Sequence, residues 1–156
     1  MKNIYFPDEE ITENDLYFVC YMIERVARTL HQHNIYVAET LGTDGLRHEL
    51  SVANVNHSAN PLQIVQDWIN AYDLKTGDFD IADVNSELAA VIPTELQMGK
   101  VYTRLITATL SSDEDYAEAI LRIYSNEICE TIDNYNCSAF YEPSYVIARA
   151  YYNSGF

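Results

Sequence analysis

Apolar residues return along this chain in steps of three and four. In "ITENDLYFVCYMIERVARTLHQH", Leu16, Val19, Cys20, Ile23, Val26, Ala27 and Leu30 fall on one helical face. Tyr17, Phe18, Tyr21 and Met22 widen that face, so the spacing predicts a central helix. Thr12 with Asp15 predicts a capping box at its start. Two shorter pieces follow. Asn34 is the expected cap of a helix through "IYVAETL" that Gly42 ends, and Thr43 starts another with Leu46, Leu50, Val52, Ala53 and Val55 inward. "NPLQIVQDWINAY" opens with Asn60 as cap and Pro61 at the first helical position, and lays Leu62, Val65, Trp68, Ile69 and Tyr72 on a stripe.

The pattern weakens through "DLKTGDFDIADVNSELAAVIP", where Gly77 and neighbouring aspartates predict a loop and Leu88 to Ile92 a short helical turn. After Pro93 the period resumes, with Met98, Val101, Tyr102, Leu105, Ile106 and Thr109 on one face. Gly99 weakens that helix by roughly 1 kcal/mol relative to Ala, which implies close packing there. "SSDEDYAEAILRIYSNEICETIDNY" reads as one helix capped by Ser112, and a last helix follows Pro143 through "SYVIARAYY". No segment alternates with period two. The prediction is an all-α fold, a single domain of six or seven helices over residues 1–156, with 1–11 as an extended N-terminal segment.

Charge then narrows the partners. Twenty-four acids against nine bases give a formal net charge of −15. Such a field repels phosphate backbones and anionic membrane surfaces, so neither nucleic acid nor membrane is an expected partner. The longest apolar stretch, Leu16 to Ile23, is broken by Glu24 and Arg25 and is too short to span a bilayer. Cys20, Cys129 and Cys137 are an odd, scattered set that fits a reducing compartment. The opening "MKNIYFPDEE" has no apolar leader pattern. The expectation is a cytoplasmic protein.

Little in the chain spells out catalysis. No Gly-rich phosphate loop, Gly-x-Ser-x-Gly elbow or Cys-x-x-Cys is present. His31 and His33 point apart on a helix, and His48 and His57 lack the spacing that puts two metal ligands one turn apart. Asp78, Asp80 and Asp83 suggest a calcium loop, but the positions that need an oxygen ligand, Gly and Glu hold Ala82, Asp83 and Ala89. No catalytic residue, metal site or cofactor is therefore assigned. An acidic cleft drawing on those aspartates and histidines is the alternative reading, a small enzyme or a ligand- or metal-binding domain.

The main reading rests on the chain's end. "DNYNCSAFYEPSYVIARAYY" holds six aromatic residues in twenty positions, and thirteen Tyr in the whole chain accompany one Trp. Tyrosine suits half-wet positions and interfaces. Tyr145, Ala148 and Tyr152 share a stripe of the last helix, beside Ile147 and Tyr151. The expected interaction patch is Tyr141, Tyr145, Arg149, Tyr151 and Tyr152, engaging another protein, basic in character, or a second copy of this chain.

Three segments, "NPLQIVQDWI", "IPTELQMGKVYTRLI" and "EICETIDNYNCSAFYEPSYVIARAY", carry a resemblance to a functionally uncharacterised group of small bacterial proteins. It extends over nearly the whole chain. It implies a bacterial, cytosolic setting and brings no activity, cofactor or site residue.

Overall fold

The helix starts show why these segments fold where they do. In a computed structural model describing residues 1–89 and 91–156, helix α1 (Glu13–Thr29) is preceded by Thr12. The Thr12 hydroxyl accepts from the Asp15 amide while the Asp15 carboxylate accepts from the Thr12 amide, so the short Asp closes the box unaided. Helix α4 (Glu95–Thr109) repeats the device with Thr94 and Gln97, and α3 (Pro61–Tyr72) begins at Asn60 and Pro61 as the sequence predicts. Helix α2 (Asn34–Asn56) is continuous except at Gly42, where φ is 66° and ψ is −178°. That single left-handed residue is the break expected between the two pieces.

Helix α1 is the hub, packing on α2, α3 and α4. Its inward residues are the expected ones, and Leu16, Val19, Cys20, Met22, Ile23 and Val26 are all buried. Helix α5 (Tyr116–Tyr124) lies against α2 and α4, α6 (Ile128–Ile132) follows, and a 3₁₀ turn (Ala139–Tyr141) leads to α7 (Ser144–Tyr152), which closes over α4. Gly99 sits directly on α1: a Cβ there would lie 2.9 Å from the backbone N and Cα of Tyr21. The architecture is all-α, seven α-helices among the described residues, in one domain.

Several details differ from the sequence reading. The helix expected from Ser112 is two helices, capped at Asp115 and interrupted at Ser125–Glu127. Asn34 is the first residue of α2 rather than its cap. Val55 and Leu62 are exposed; α3 buries Val65 and Trp68 as expected, with Ile64 in place of Leu62. Ser86–Leu88 form a turn and no helix, and the rest of the expected helical turn runs into Ala90, outside the described residues. Residues 1–11 fold back as a loop closed by a Lys2–Glu10 bridge, held to α2 by Asn3, whose side chain donates to the Ser51 carbonyl at 2.6 Å. No helix among the described residues is long and apolar enough to cross a membrane.

Candidate functional site

Two concave regions stand out. The first lies at the α4–α7 seam. Gln97, Lys100, Val101 and Arg104 of α4 face Phe140, Tyr141 and Pro143 across a groove of about 360 Å³. Helix α7 turns Ile147 and Ala150 into the core and leaves Tyr145 and Tyr152 outside, 65% and 66% exposed; Tyr141 beside it is 80% exposed. Arg149 lies over the Tyr145 ring, 5.8 Å from its centroid.

Tyr151 does not belong with that outer set. Its hydroxyl accepts from Arg122 Nη1 at 2.8 Å, and the guanidinium lies 5.5 Å from its ring centroid. Arg122 in turn holds Glu114 through Nε at 2.7 Å and Nη2 at 2.8 Å. This bidentate bond keeps the Glu114 carboxyl below its ordinary pKa. The inward stripe of α7 is therefore Ile147, Ala150 and Tyr151, and the Tyr145–Tyr152 stripe faces out.

Two cations, Lys100 and Arg104, line the same groove. Arg28, Arg47, Lys75 and Arg122 each have a carboxylate partner within 4 Å. Among the described residues Lys2, Arg25, Lys100, Arg104 and Arg149 have none, and three of those five are on the outer parts of α4 and α7. Composition alone could not reveal that a chain of net charge −15 sets two unpaired cations side by side on one groove.

The second region is a cleft of about 750 Å³ between α1, the start of α2, the 79–84 loop and α6. Its floor carries Glu24, 3% exposed, and Asp133 at the end of α6. Asn34 bridges them: one Nδ2 nitrogen donates to Glu24 Oε1 and to Asp133 Oδ2, each at 3.0 Å. The Tyr102 hydroxyl donates to Asp133 Oδ1 at 2.7 Å. Burial, and then the charge of Asp133, pushes the Glu24 pKa up to about 8. Asp133 is pushed up to about 6 by burial, against the bonds from Tyr102 and Asn34 that favour its anion.

The residues singled out for an acidic cleft divide. Asp80, Asp83 and His33 reach its wall, with His33 stacked on Phe79 at 3.9 Å between centroids. Asp78, His31, His48 and His57 do not line it. His48 meets Tyr5 and lies 3.8 Å from Glu49, and His57 lies 3.9 Å from Asp15. Asp80 makes the Asx turn expected of it, accepting from the Ala82 amide at 2.9 Å. No group of three His, Cys, Asp or Glu side chains placed to hold a metal ion occurs among the described residues. Cys20 and Cys129 are buried, their thiols pushed up to about 12 by desolvation, which makes them poor nucleophiles.

Glu24, Asn34, Tyr102 and Asp133 escaped the sequence reading. A Glu on the core side of a predicted helix was the available signal, since Glu24 lies four residues after Cys20 and three before Ala27, both on the inward face. Compared with known proteins, the chain matches no family model, no curated protein and no solved structure. The likeness to small bacterial proteins rests on the three quoted segments alone.

Proposed function

We propose that this chain is a binding protein, without catalytic activity of its own, that engages another protein through the α4–α7 face. The observation that carries the reading is the coincidence at one seam of exposed rings and unpaired cations. Tyr141, Tyr145 and Tyr152 stand out of the core beside a groove edged by Lys100 and Arg104. Tyr and Arg are the residue types that dominate interface energetics, because each offers a large flat surface with a polar end.

The charges refine the kind of partner. An acidic body attracts a partner that is basic at long range. At the groove itself Lys100 and Arg104 outnumber the one acid, Glu142, and call for the opposite sign. The fitting partner presents a short segment with an apolar side chain for the Phe140–Val101 wall and a carboxylate for the two cations. Tyr145 and Tyr152 extend the exposed face along α7, and Tyr151 supports it from within.

Two variants test this. Tyr141→Ser/Tyr145→Ser/Tyr152→Ser and Lys100→Glu/Arg104→Glu change only outward groups, so both should melt close to the native protein. Each should lose a protein that the native chain retains in pull-downs from its host, or lose self-association seen by light scattering. Retention of the same partner by both variants, or absence of any partner and of self-association, would sink the proposal.

A further inference from the structure

The Glu24–Asp133 cleft has a chemistry the docking face does not use. Its floor holds one buried carboxyl group, Glu24, and one half-buried, Asp133, and neither has a cationic side chain within 4 Å among the described residues. Arg28 is the basic side chain on the wall and contacts neither acid directly: Nη1 lies 4.0 Å from Glu95, and Nη2 donates to the hydroxyl of Tyr135, also on the wall, at 3.4 Å. Glu24 Oε1 is occupied by Asn34, whereas Oε2 meets no donor among the described residues. Glu24 is 3% exposed, and a donor entering the cleft can reach that free oxygen; the fully buried lining atoms without a partner are Arg28 Nε and the Tyr124 hydroxyl.

The mouth repeats the sign of the floor. Glu39, Asp80, Asp83, Glu127 and Glu130 are exposed carboxylates on the cleft's edge. Between floor and mouth the walls are apolar or aromatic, with Ile81, Val84, Phe79 and Tyr135. At about 750 Å³ the space suits a small organic molecule, which needs roughly 300–1,000 Å³, rather than a bare ion.

We infer that this cleft binds a small linear di- or polyamine, one ammonium group at Glu24 and Asp133 and the alkyl chain along the aromatic wall toward the acidic mouth. A primary ammonium brings three donors. It supplies a donor for Glu24 Oε2 and a positive charge in direct contact, where Arg28 acts on the two carboxyl groups only from beyond 4 Å. Aromatic rings along the wall tolerate both the methylene chain and its charge.

Loading also moves a proton. The charged groups acting on Glu24 are Asp133 at the end of α6, Arg28 on α1 and Glu95 on α4. The thiols of Cys20 and Cys129, and the phenols of Tyr102, Tyr124 and Tyr135, titrate far above neutrality in their buried places. Near pH 7 the empty floor therefore holds a proton on Glu24, and an arriving ammonium ion releases it.

Calorimetric titration of the full chain with 1,4-diaminobutane, at low salt and in phosphate and MOPS buffers, tests the assignment. The expected result is saturable one-to-one binding whose heat differs between the buffers by the heat of taking up the released proton. Glu24→Gln, which keeps the acceptor for Asn34, should weaken binding about tenfold or more and abolish the buffer difference. Val84→Trp should block the site while leaving the acid pair intact, which guards against a folding defect in the first variant. No saturable binding overturns the assignment. So does equal affinity in both variants, or complete displacement of the diamine by Mg²⁺ at matched ionic strength, the mark of diffuse attraction to an acidic surface.

Discussion

Glu24 shows how much one position can bend the behaviour of a fold. Its carboxyl titrates near 4.5 when exposed and is pushed up to about 8 by burial and by Asp133. Between those values the folded chain binds more protons than the unfolded one, so stability is greatest at the acid end and declines as pH rises. Asp133, raised from 3.8 to about 6, acts in the same direction over a lower window. The native protein should thus lose melting temperature from pH 5 to pH 8.5, with a slope of up to about 1.4 kcal/mol per pH unit where Glu24 titrates. Glu24→Gln should flatten that decline and be the more stable form at pH 8.5. A thermal melt series across pH checks both, and a native profile that rises through this range would refute the account.

Helix α4 owes its position to one missing side chain. Gly99 lets the α4 backbone lie against Tyr21 of α1, where an added Cβ would meet backbone atoms at 2.9 Å. Ala is the better helix former by roughly 1 kcal/mol, yet overpacking costs about 1–3 kcal/mol and neither backbone yields easily. Gly99→Ala should therefore lower stability, as a reduced urea midpoint with an unchanged slope. The sequence pointed to that close approach, because a glycine inside a strongly periodic helix calls for a reason. It could not point to the break between α5 and α6. Ile120, Ile123, Tyr124, Ile128, Cys129 and Ile132 keep helical spacing straight across it. The Ser125 hydroxyl donates to the Leu121 carbonyl at 2.5 Å and the Asn126 side chain accepts from the Ile128 amide at 3.0 Å, so local side-chain bonds take over backbone groups while the apolar register continues.

In the whole molecule, the chain's end is tied down from a distance. Arg122 on α5 joins Glu114, the Thr109 carbonyl and the Tyr151 hydroxyl, so the 109–114 turn, α5 and α7 meet at one guanidinium. Arg122→Ala should cost about 2 kcal/mol, since hydrogen bonds to a charged group are lost at a partly covered site. Amide hydrogen exchange should quicken in α7 while α1 stays protected. Arg122→Lys should not restore the loss, because an ammonium cannot reproduce the forked bond to Glu114. Equal protection of α7 in native and Ala forms would show that apolar contacts through Ile147 and Ala150 hold it unaided.

By itself the sequence determined that the fold is all-α, where α1, α3, α4 and α7 begin, and that α1 is central. These follow from spacing within a few turns and from caps made by residues three apart, which are local physics. It also marked Tyr141, Tyr145 and Arg149 as outward and aromatic-rich, though it could not separate Tyr151 from them, because rotation about a helix axis is fixed by what the helix lies on. Only the tertiary structure decided the cleft and the seam. Asn34 and Asp133 are 99 positions apart and meet at 3.0 Å, and Lys100 and Arg104 join Tyr141 across separate elements. Burial is a property of the assembled molecule. It turns Glu24 from one acid among twenty-four into a proton-holding group, and no count or spacing along the chain contains it.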